Sequence, residues 1–432
     1  MIITLLGFAA LLCLILLRMP IAFAMGVVGF LGYAALGDWN FNSALSISAK
    51  RLIDTAQDYG LSVIPMFILM GNLITKAGLS QELYRACYAF LGHRKGGLAM
   101  ATVAACGGFS AISGSSLATS ATMAQVAMPS MRKYGYSDGL AAASIAAGGT
   151  LGILIPPSVI LIIYAVLTEQ SVRDLFAAGF IPGLMGILLY IMATRFVVWR
   201  NPKAGPCGDK LSRRERWQAL RSVSSILGLF ALVMGGIYGG VFTPTEAAGV
   251  GAFGAFVIAL SRRALSWRIL HDVLIDTART STMLFGVVIG ALIYSNFVNR
   301  AGLPSELVHF VSSWGTEPII IMLMILCVYI LMGTVFESLS MLLLTIPVFY
   351  PLVESLGFDL VWFGIIVVVV TEISLITPPV GLNIFVLKGV IKDIKTSTIF
   401  KGVTPFWCVD IVRLVLLLFI PSLSLWLPSL LY

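Results

Sequence analysis

Apolar runs of about 20 residues, the length that crosses a hydrocarbon core as a helix, recur from residue 2 to residue 431. A bilayer interior offers no water to an unpaired N–H or C=O. Such runs can therefore only be helices or the strands of a closed barrel. The dyad alternation of a membrane barrel is absent here, which leaves an all-α polytopic membrane protein. Composition agrees: 11% of residues are charged, against roughly 25% in a soluble domain, and mean hydropathy is +0.98. About a dozen segments can be drawn, roughly 2–36 (one long or two short), 59–78, 97–114, 117–131, 139–167, 175–198, 222–242, 245–264, 278–299, 316–335, 338–353, 361–390 and 406–431. Several are too short or too broken for a plain span. Ala22-Phe23-Ala24 mimics a signal-peptidase site, but no basic region precedes it, so the first stretch is read as a retained anchor.

The chain contains itself twice. Ile155-Pro156-Pro157 and Thr377-Pro378-Pro379 both interrupt apolar runs, and Pro156 and Pro378 stand 222 residues apart. Pro129 and Pro351 share that offset, as do Gly135 and Gly357. Lys76-Ala-Gly-Leu-Ser-Gln-Glu-Leu83 meets Arg300-Ala-Gly-Leu-Pro-Ser-Glu-Leu307 at an offset of 224. Paired Gly/Pro interruptions in two halves are a pointer to the binding site of a secondary transporter.

Loop charges orient the copies. The stretch 199–221 holds Arg200, Lys203, Lys210, Arg213, Arg214, Arg216 and Arg221 against Asp209 and Glu215, and is read as cytoplasmic. Counting spans from there, copy one enters the membrane from the cytoplasm, beside His93-Arg-Lys95, and copy two enters from the opposite face. The repeat is thus expected to be inverted. Its two short pairs, 97–131 with a tip at Ser113-Gly-Ser-Ser116 and 316–353 with a tip at Val335-Phe336-Glu337-Ser338, are expected to be re-entrant helical hairpins. Lys50, Arg51 and Arg300 fall on the outer side as exceptions, and Arg18 either marks a break before Pro20 or snorkels. The N-terminus is placed in the cytoplasm and the C-terminus outside. The expected organisation is a scaffold segment 1–58, repeat one over 59–174 (hairpin 97–131, broken helix 139–167), scaffold helices and the basic loop over 175–277, the inverted repeat two over 278–396 (hairpin 316–353, broken helix 361–390), and a C-terminal helix over 397–432.

Pro-Pro stops a helix because proline lacks an N–H and clashes with the preceding turn. Gly148-Gly149-Thr-Leu-Gly152 loosens the approach to the first break. Carbonyls freed at mid-membrane need a ligand, and a dehydrated Na⁺ held by carbonyls and hydroxyls suits them. Hydroxyls come from the tips: Ser110, Ser113, Ser115, Ser116 and Thr119 in copy one. Copy two offers Gly333, Thr334, Glu337, Ser338 and Ser340, with Ser374 and Thr377 from the broken span. Helix N-termini that start at a break aim their positive ends at an anionic substrate. Against this, Gly, Ser and Thr also let membrane helices pack closely. The coincidence of tip, double proline and inverted copy favours ion binding.

Glu337 and Glu372 are acids within spans, either functional or satisfying N–H groups at a break. Thr243-Pro-Thr-Glu246 reads as a helix cap. Asn72 and Asn296, matched across the repeat, are interhelix partners or lie beside the ion path. The six cysteines have no metal spacing. An intramembrane hydrolase would need a His at depth, yet His93, His271 and His309 all fall in loops or at membrane edges. No Walker A pattern is present, so no ATP-driven motor is expected in the chain, nor an organic cofactor.

Five stretches in order resemble one family: Ile64-Pro-Met-Phe-Ile-Leu-Met-Gly71, Gly107-Gly-Phe-Ser-Ala-Ile-Ser-Gly-Ser-Ser-Leu-Ala-Thr119, Gly148-Gly-Thr-Leu-Gly-Ile-Leu-Ile-Pro-Pro-Ser158, Gly240-Val-Phe-Thr-Pro-Thr-Glu-Ala-Ala248 and Ile376-Thr-Pro-Pro-Val-Gly-Leu-Asn383. The chain resembles, over essentially its whole length, the large membrane subunit of TRAP (tripartite ATP-independent periplasmic) transporters. The resemblance implies an elevator-type transporter of the bacterial inner membrane, in which two hairpins and two discontinuous helices slide past a fixed scaffold. It implies Na⁺ as the coupling ion, one site formed by Ser110, Ser113, Gly152, Ile155 and Pro157 and another by Gly333, Ser374, Thr377 and Val380. Ser374 stands where the family pattern has Gly. Ser115, Ser116, Thr119, Glu337 and Asn383 would border the substrate or ion path. Two partners are implied, a small four-helix membrane subunit and a periplasmic substrate-binding protein, and the substrate would be an organic acid or other carboxylate. Thr119, where many dicarboxylate members carry Asp, points away from that subgroup. A stand-alone Na⁺/anion carrier of related fold, a channel and an intramembrane hydrolase are the alternatives.

Overall fold

The computed structural model describes residues 2–313, 315, 317–334 and 336–431. Thr316, the expected start of the second hairpin, and Val335 at its expected tip lie outside the described residues.

The described chain is a succession of helices. The first three are α1 (Ile2–Leu16), α2 (Ile21–Ala35) and α3 (Phe41–Gln57). A seven-helix set follows: α4 (Val63–Lys76), α5 (Leu79–Leu91), α6 (Gly97–Ser113), α7 (Ser116–Lys133), α8 (Asp138–Thr150), α9 (Val159–Thr168) and α10 (Val172–Arg200). Next come α11 (Arg213–Tyr238) and α12 (Pro244–Ser261). A second seven-helix set is α13 (Trp267–Arg300), α14 (Leu303–Ser312), α15 (Pro318–Gly333), α16 (Ser338–Ser355), α17 (Leu360–Ser374), α18 (Leu382–Val390) and α19 (Thr396–Phe419), and α20 (Ser422–Leu431) ends the chain. Among the described residues, seven helical stretches are long and apolar enough to cross a membrane.

The two seven-helix sets correspond element by element. Gly78 and Gly302 each turn the chain at φ 75° and 73° into α5 and α14, and Gly135 (φ 74°) and Gly357 (φ 80°) do so before α8 and α17. A side chain is strained in that left-handed region, which is why glycine recurs at matched positions. Both Pro-Pro bonds, Pro156-Pro157 and Pro378-Pro379, are cis. The symmetry extends outward: α12 runs along α4 as α2 runs along α13.

Several expectations change in detail. The first apolar stretch is two helices, and Arg18 sits in the break between them with φ 67°. The span expected at 278–299 is part of α13, which starts at Trp267 and carries Arg268, Asp272, Asp276 and Arg279 on its first turns. The single C-terminal helix is two, because Pro421 has no N–H to continue the ladder of α19. The intervals between apolar segments also contain α3, α5 and α14, helices with apolar residues on one face and polar on the other. Gly148 and Gly149 do not loosen α8, which continues to Thr150. They let it approach α6 and α7: a Cβ at Gly148 would sit 2.9 Å from Cys106 Sγ, and one at Gly149 would strike Ser120.

The Thr243–Glu246 cap is present in full. The Thr243 hydroxyl accepts the Glu246 N–H and the Glu246 carboxylate accepts the Thr243 N–H. Asn72 and Asn296 are interhelix partners. Asn72 Nδ2 donates to Thr277 Oγ1 at 3.0 Å, and Arg51 Nη2 donates to Asn296 Oδ1 at 3.1 Å.

Candidate site: two hairpin tips against two broken helices

The first tip is built from local chemistry. The α6 helix ends on Gly114 at φ 58°, whose N–H reaches the Ser110 carbonyl, and Ser115 caps α7 by accepting the Ala118 N–H. Ser113 Oγ and Thr119 Oγ1 lie 2.7 Å apart and clasp the two arms. Ser110 is fully buried and donates to the Cys106 carbonyl at 2.6 Å. Having donated its single proton, the Ser110 hydroxyl keeps its oxygen lone pairs free to face a cation.

This tip lies on the first break. A Cβ at Gly152 would come within 2.8 Å of the Ser115 carbonyl and 3.0 Å of Ser116 N, so only glycine fits there. Gly114 sits at the same contact, near the Pro157 carbonyl and Val159. Ser110, Ser113, Ser115, Ser116, Thr119, Gly152 and Pro157 thus belong to one neighbourhood. Ile155 lies on the same break, but its side chain packs against Gly107 and Gly183.

The second copy repeats the contact with different atoms. Gly333, the last residue of α15, lies directly against the Ser374 side chain at the end of α17, where a Cβ would collide. The Ser374 hydroxyl donates to the Thr371 carbonyl at 2.7 Å and the Thr377 hydroxyl to the Ile373 carbonyl at 2.6 Å. Trp407 Nε1 donates to Thr377 Oγ1 at 2.9 Å. Val380 is half-buried beside exposed Pro378 and Pro379, whereas Pro156 and Pro157 are buried. Asn383 is fully buried and ties the second break to α8, its Nδ2 donating to the Ala146 carbonyl at 3.3 Å.

Between the tips lies a cavity of about 330 Å³, walled on the other side by α4 and α13. Asn72, Thr75, Ser113, Ser115, Ser116 and Thr280 line it, as does Glu337, with no basic side chain among the described lining. The N-termini of α7 and α16 both open onto it. Glu337 occupies the cap position of α16 but bonds none of its N–H groups, so the capping account of this acid does not hold.

Glu372 also does something other than satisfy the break. Its carboxylate pairs with Arg413 of α19, and the same Arg413 Nη2 lies 2.9 Å from Asp410 Oδ1. The Tyr190 hydroxyl of α10 donates to Asp410 and lies 3.2 Å from Thr150 Oγ1 at the end of α8. All five residues are 0% exposed. Sequence reasoning missed Asp410 and Arg413; the available signal was two charges three residues apart inside the apolar run 406–431. At one end of the same bundle, Arg132 ties α7 to Asp138 (3.3 Å) and to Asp393 after α18 (2.6 Å). The bond from Arg132 keeps the Asp393 carboxyl below its usual range.

Residues 8–423 match the family described as "Tripartite ATP-independent periplasmic transporter, DctM component". The chain is 37% identical to the C4-dicarboxylate TRAP transporter large permease protein DctM of Pseudomonas aeruginosa, over 88% of this chain and 89% of that one. It is 33% identical to the 2,3-diketo-L-gulonate TRAP transporter large permease protein YiaN of Escherichia coli, over 95% of each. Among solved structures, the Alcanivorax borkumensis YdaH transporter shares the fold at TM-score 0.64 and 15% identity, covering 88% of this chain and 89% of that one. Breaks, tips and near full-length matches lead to one conclusion: the chain is a multi-pass membrane transport protein of the TRAP large permease family, and not an enzyme.

Proposed function

We propose that this subunit imports an organic carboxylate anion by Na⁺-coupled secondary transport, with Na⁺ as a co-transported substrate. Repeat one (59–174) and repeat two (278–396) would be inverted relative to each other in a bacterial inner membrane. The N-terminus would lie in the cytoplasm and the C-terminus in the periplasm. The hairpins would be re-entrant and move with the broken helices as an elevator, past a scaffold that includes 1–58 and 175–277. A small four-helix membrane subunit and a periplasmic binding protein would complete the system, and the binding protein would deliver the anion. The relatives named for C4-dicarboxylate and 2,3-diketo-L-gulonate support an organic acid as cargo.

The observation that carries this reading is the repeated contact of a hairpin tip with a broken helix through a glycine, Gly152 in one copy and Gly333 in the other. Ser110, Ser113, Gly152, Ile155 and Pro157 would hold one Na⁺, and Gly333, Ser374, Thr377 and Val380 a second. The fit rests on donor chemistry. Hydroxyls with spent protons and backbone freed from the helical ladder are hard oxygen donors, as Na⁺ requires. The cavity between the tips would take the anion, facing the positive ends of α7 and α16 and a lining of hydroxyls, with Glu337 the one charged side chain among its described residues.

The test is uptake into proteoliposomes containing this chain, its small subunit and the binding protein, with and without an inward Na⁺ gradient. Uptake is expected to need the gradient. Ser113→Ala removes one contact of hydrogen-bond scale and should raise the Na⁺ concentration for half-maximal uptake about tenfold. Uptake indifferent to Na⁺ would sink the coupling. Full uptake without the two partners would favour the stand-alone carrier.

A further inference from the structure

We propose that a basic pocket at the base of α6 and α10 binds the headgroup of an anionic phospholipid. The pocket has a volume of about 460 Å³ and is lined by Arg94, Lys95 and Arg195, over an apolar floor and wall formed by Met100, Val198 and Trp199. The three cations are exposed, and no carboxylate pairs with any of them among the described residues. The nearby Asp209 carboxylate is engaged by the Tyr134 hydroxyl at 2.5 Å.

The walls are fixed in place. Gly96 turns at φ 73° and packs so closely on α10 that a Cβ would lie 2.9 Å from Val198 Cγ2. Its N–H donates to the Gly205 carbonyl at 2.9 Å, and Gly208 N–H donates to the Gly92 carbonyl at 2.8 Å. The segment after α10 therefore holds the turn at 93–96 against the helix end.

Excess Lys and Arg are expected on the cytoplasmic side of any membrane protein, so positive charge alone carries no argument. Two further features do. Three unpaired cations converge on one preformed pocket, a geometry suited to a phosphodiester. From that pocket an exposed apolar stripe climbs α10 through Leu184, Leu188, Met192, Phe196 and Trp199, each 46–76% exposed. Over 15 residues the stripe is about 22 Å long, more than the roughly 15 Å depth of one leaflet's hydrocarbon. A headgroup in the pocket would lay its acyl chains along this lane, with the Trp199 ring at the interface.

The purified full chain, stripped of lipid in detergent, is offered phosphatidylglycerol, cardiolipin or phosphatidylcholine and examined by native mass spectrometry and thermal melting. One anionic lipid should be retained and should raise the melting temperature, while phosphatidylcholine does neither. Arg94→Gln with Arg195→Gln should weaken retention about thirtyfold, and Arg195→Lys should preserve most of it. Lys210→Gln with Arg213→Gln, equal in charge and in the same basic region, should leave it unchanged. Equal retention of phosphatidylcholine would overturn the proposal. So would loss of lipid in the Lys210/Arg213 pair, or an unaffected Arg94/Arg195 pair. Stabilisation by inorganic phosphate equal to that by lipid would show a free oxyanion site and would also overturn it.

Discussion

Gly152→Ala and Gly333→Ala should each cut initial uptake by one to two orders of magnitude, and only the second should be rescued by a neighbouring change. The scale is that of forcing a methyl into a filled contact, about 1–3 kcal/mol. At Gly152 the obstacle is backbone, the Ser115 carbonyl and Ser116 N–H at the hairpin tip. Backbone cannot be trimmed, so the tip itself must lift off the break. At Gly333 the obstacle is the Ser374 side chain. Ser374→Gly removes it, and the double variant Gly333→Ala/Ser374→Gly should recover uptake to within a few-fold of wild type. The exchange places the small residue on the other side of the contact. Uptake of the four variants, normalised to the amount folded in the membrane, checks this. Equal loss in Gly333→Ala and the double variant would mean that the Ser374 hydroxyl is itself required at that site, and not only the close approach.

The sequence made this contact legible from one side only. Pro-Pro stops a helix whatever surrounds it, so both breaks could be placed to the residue. Gly114 and Ser115 announce a turn and a cap by local rules, so the first tip could be placed as well. What faces what across the repeat is a tertiary fact. Nothing local to Gly333 names Ser374 as its neighbour, and nothing local to Asn383 names the Ala146 carbonyl. The helices α3, α5 and α14 were obscured for a different reason: their half-polar faces lower hydropathy below the level that marks a span, although their periodicity is helical. The cluster around Arg413 was hidden because a charged pair three residues apart in an apolar run looks the same whether it is closed on itself or meets a partner on another helix.

That cluster yields the second large effect. Arg413→Leu should destabilise the protein by about 3–5 kcal/mol, because it strands buried charge rather than because it removes attraction. Glu372 and Asp410 both lean on this one guanidinium, and all three are 0% exposed. Without it, two carboxylates face each other with no cation. Glu372→Gln should cost much less, since it leaves Arg413 and Asp410 as a one-to-one pair. Arg413→Lys should fall in between: an ammonium keeps the charge, but its differently shaped side chain must bring it to the point where the single Nη2 now meets both acids. Melting of the detergent-solubilised chain gives the ranking, with Glu372→Gln highest and Arg413→Leu lowest. The residues belong to α17, α19 and α10, and Tyr190 carries the network on to Thr150 at the first break. Arg413→Leu should therefore also lower uptake per folded molecule, since the end of α8 loses its support. If Glu372→Gln melts as low as Arg413→Leu, the carboxylate has a role beyond pairing with Arg413.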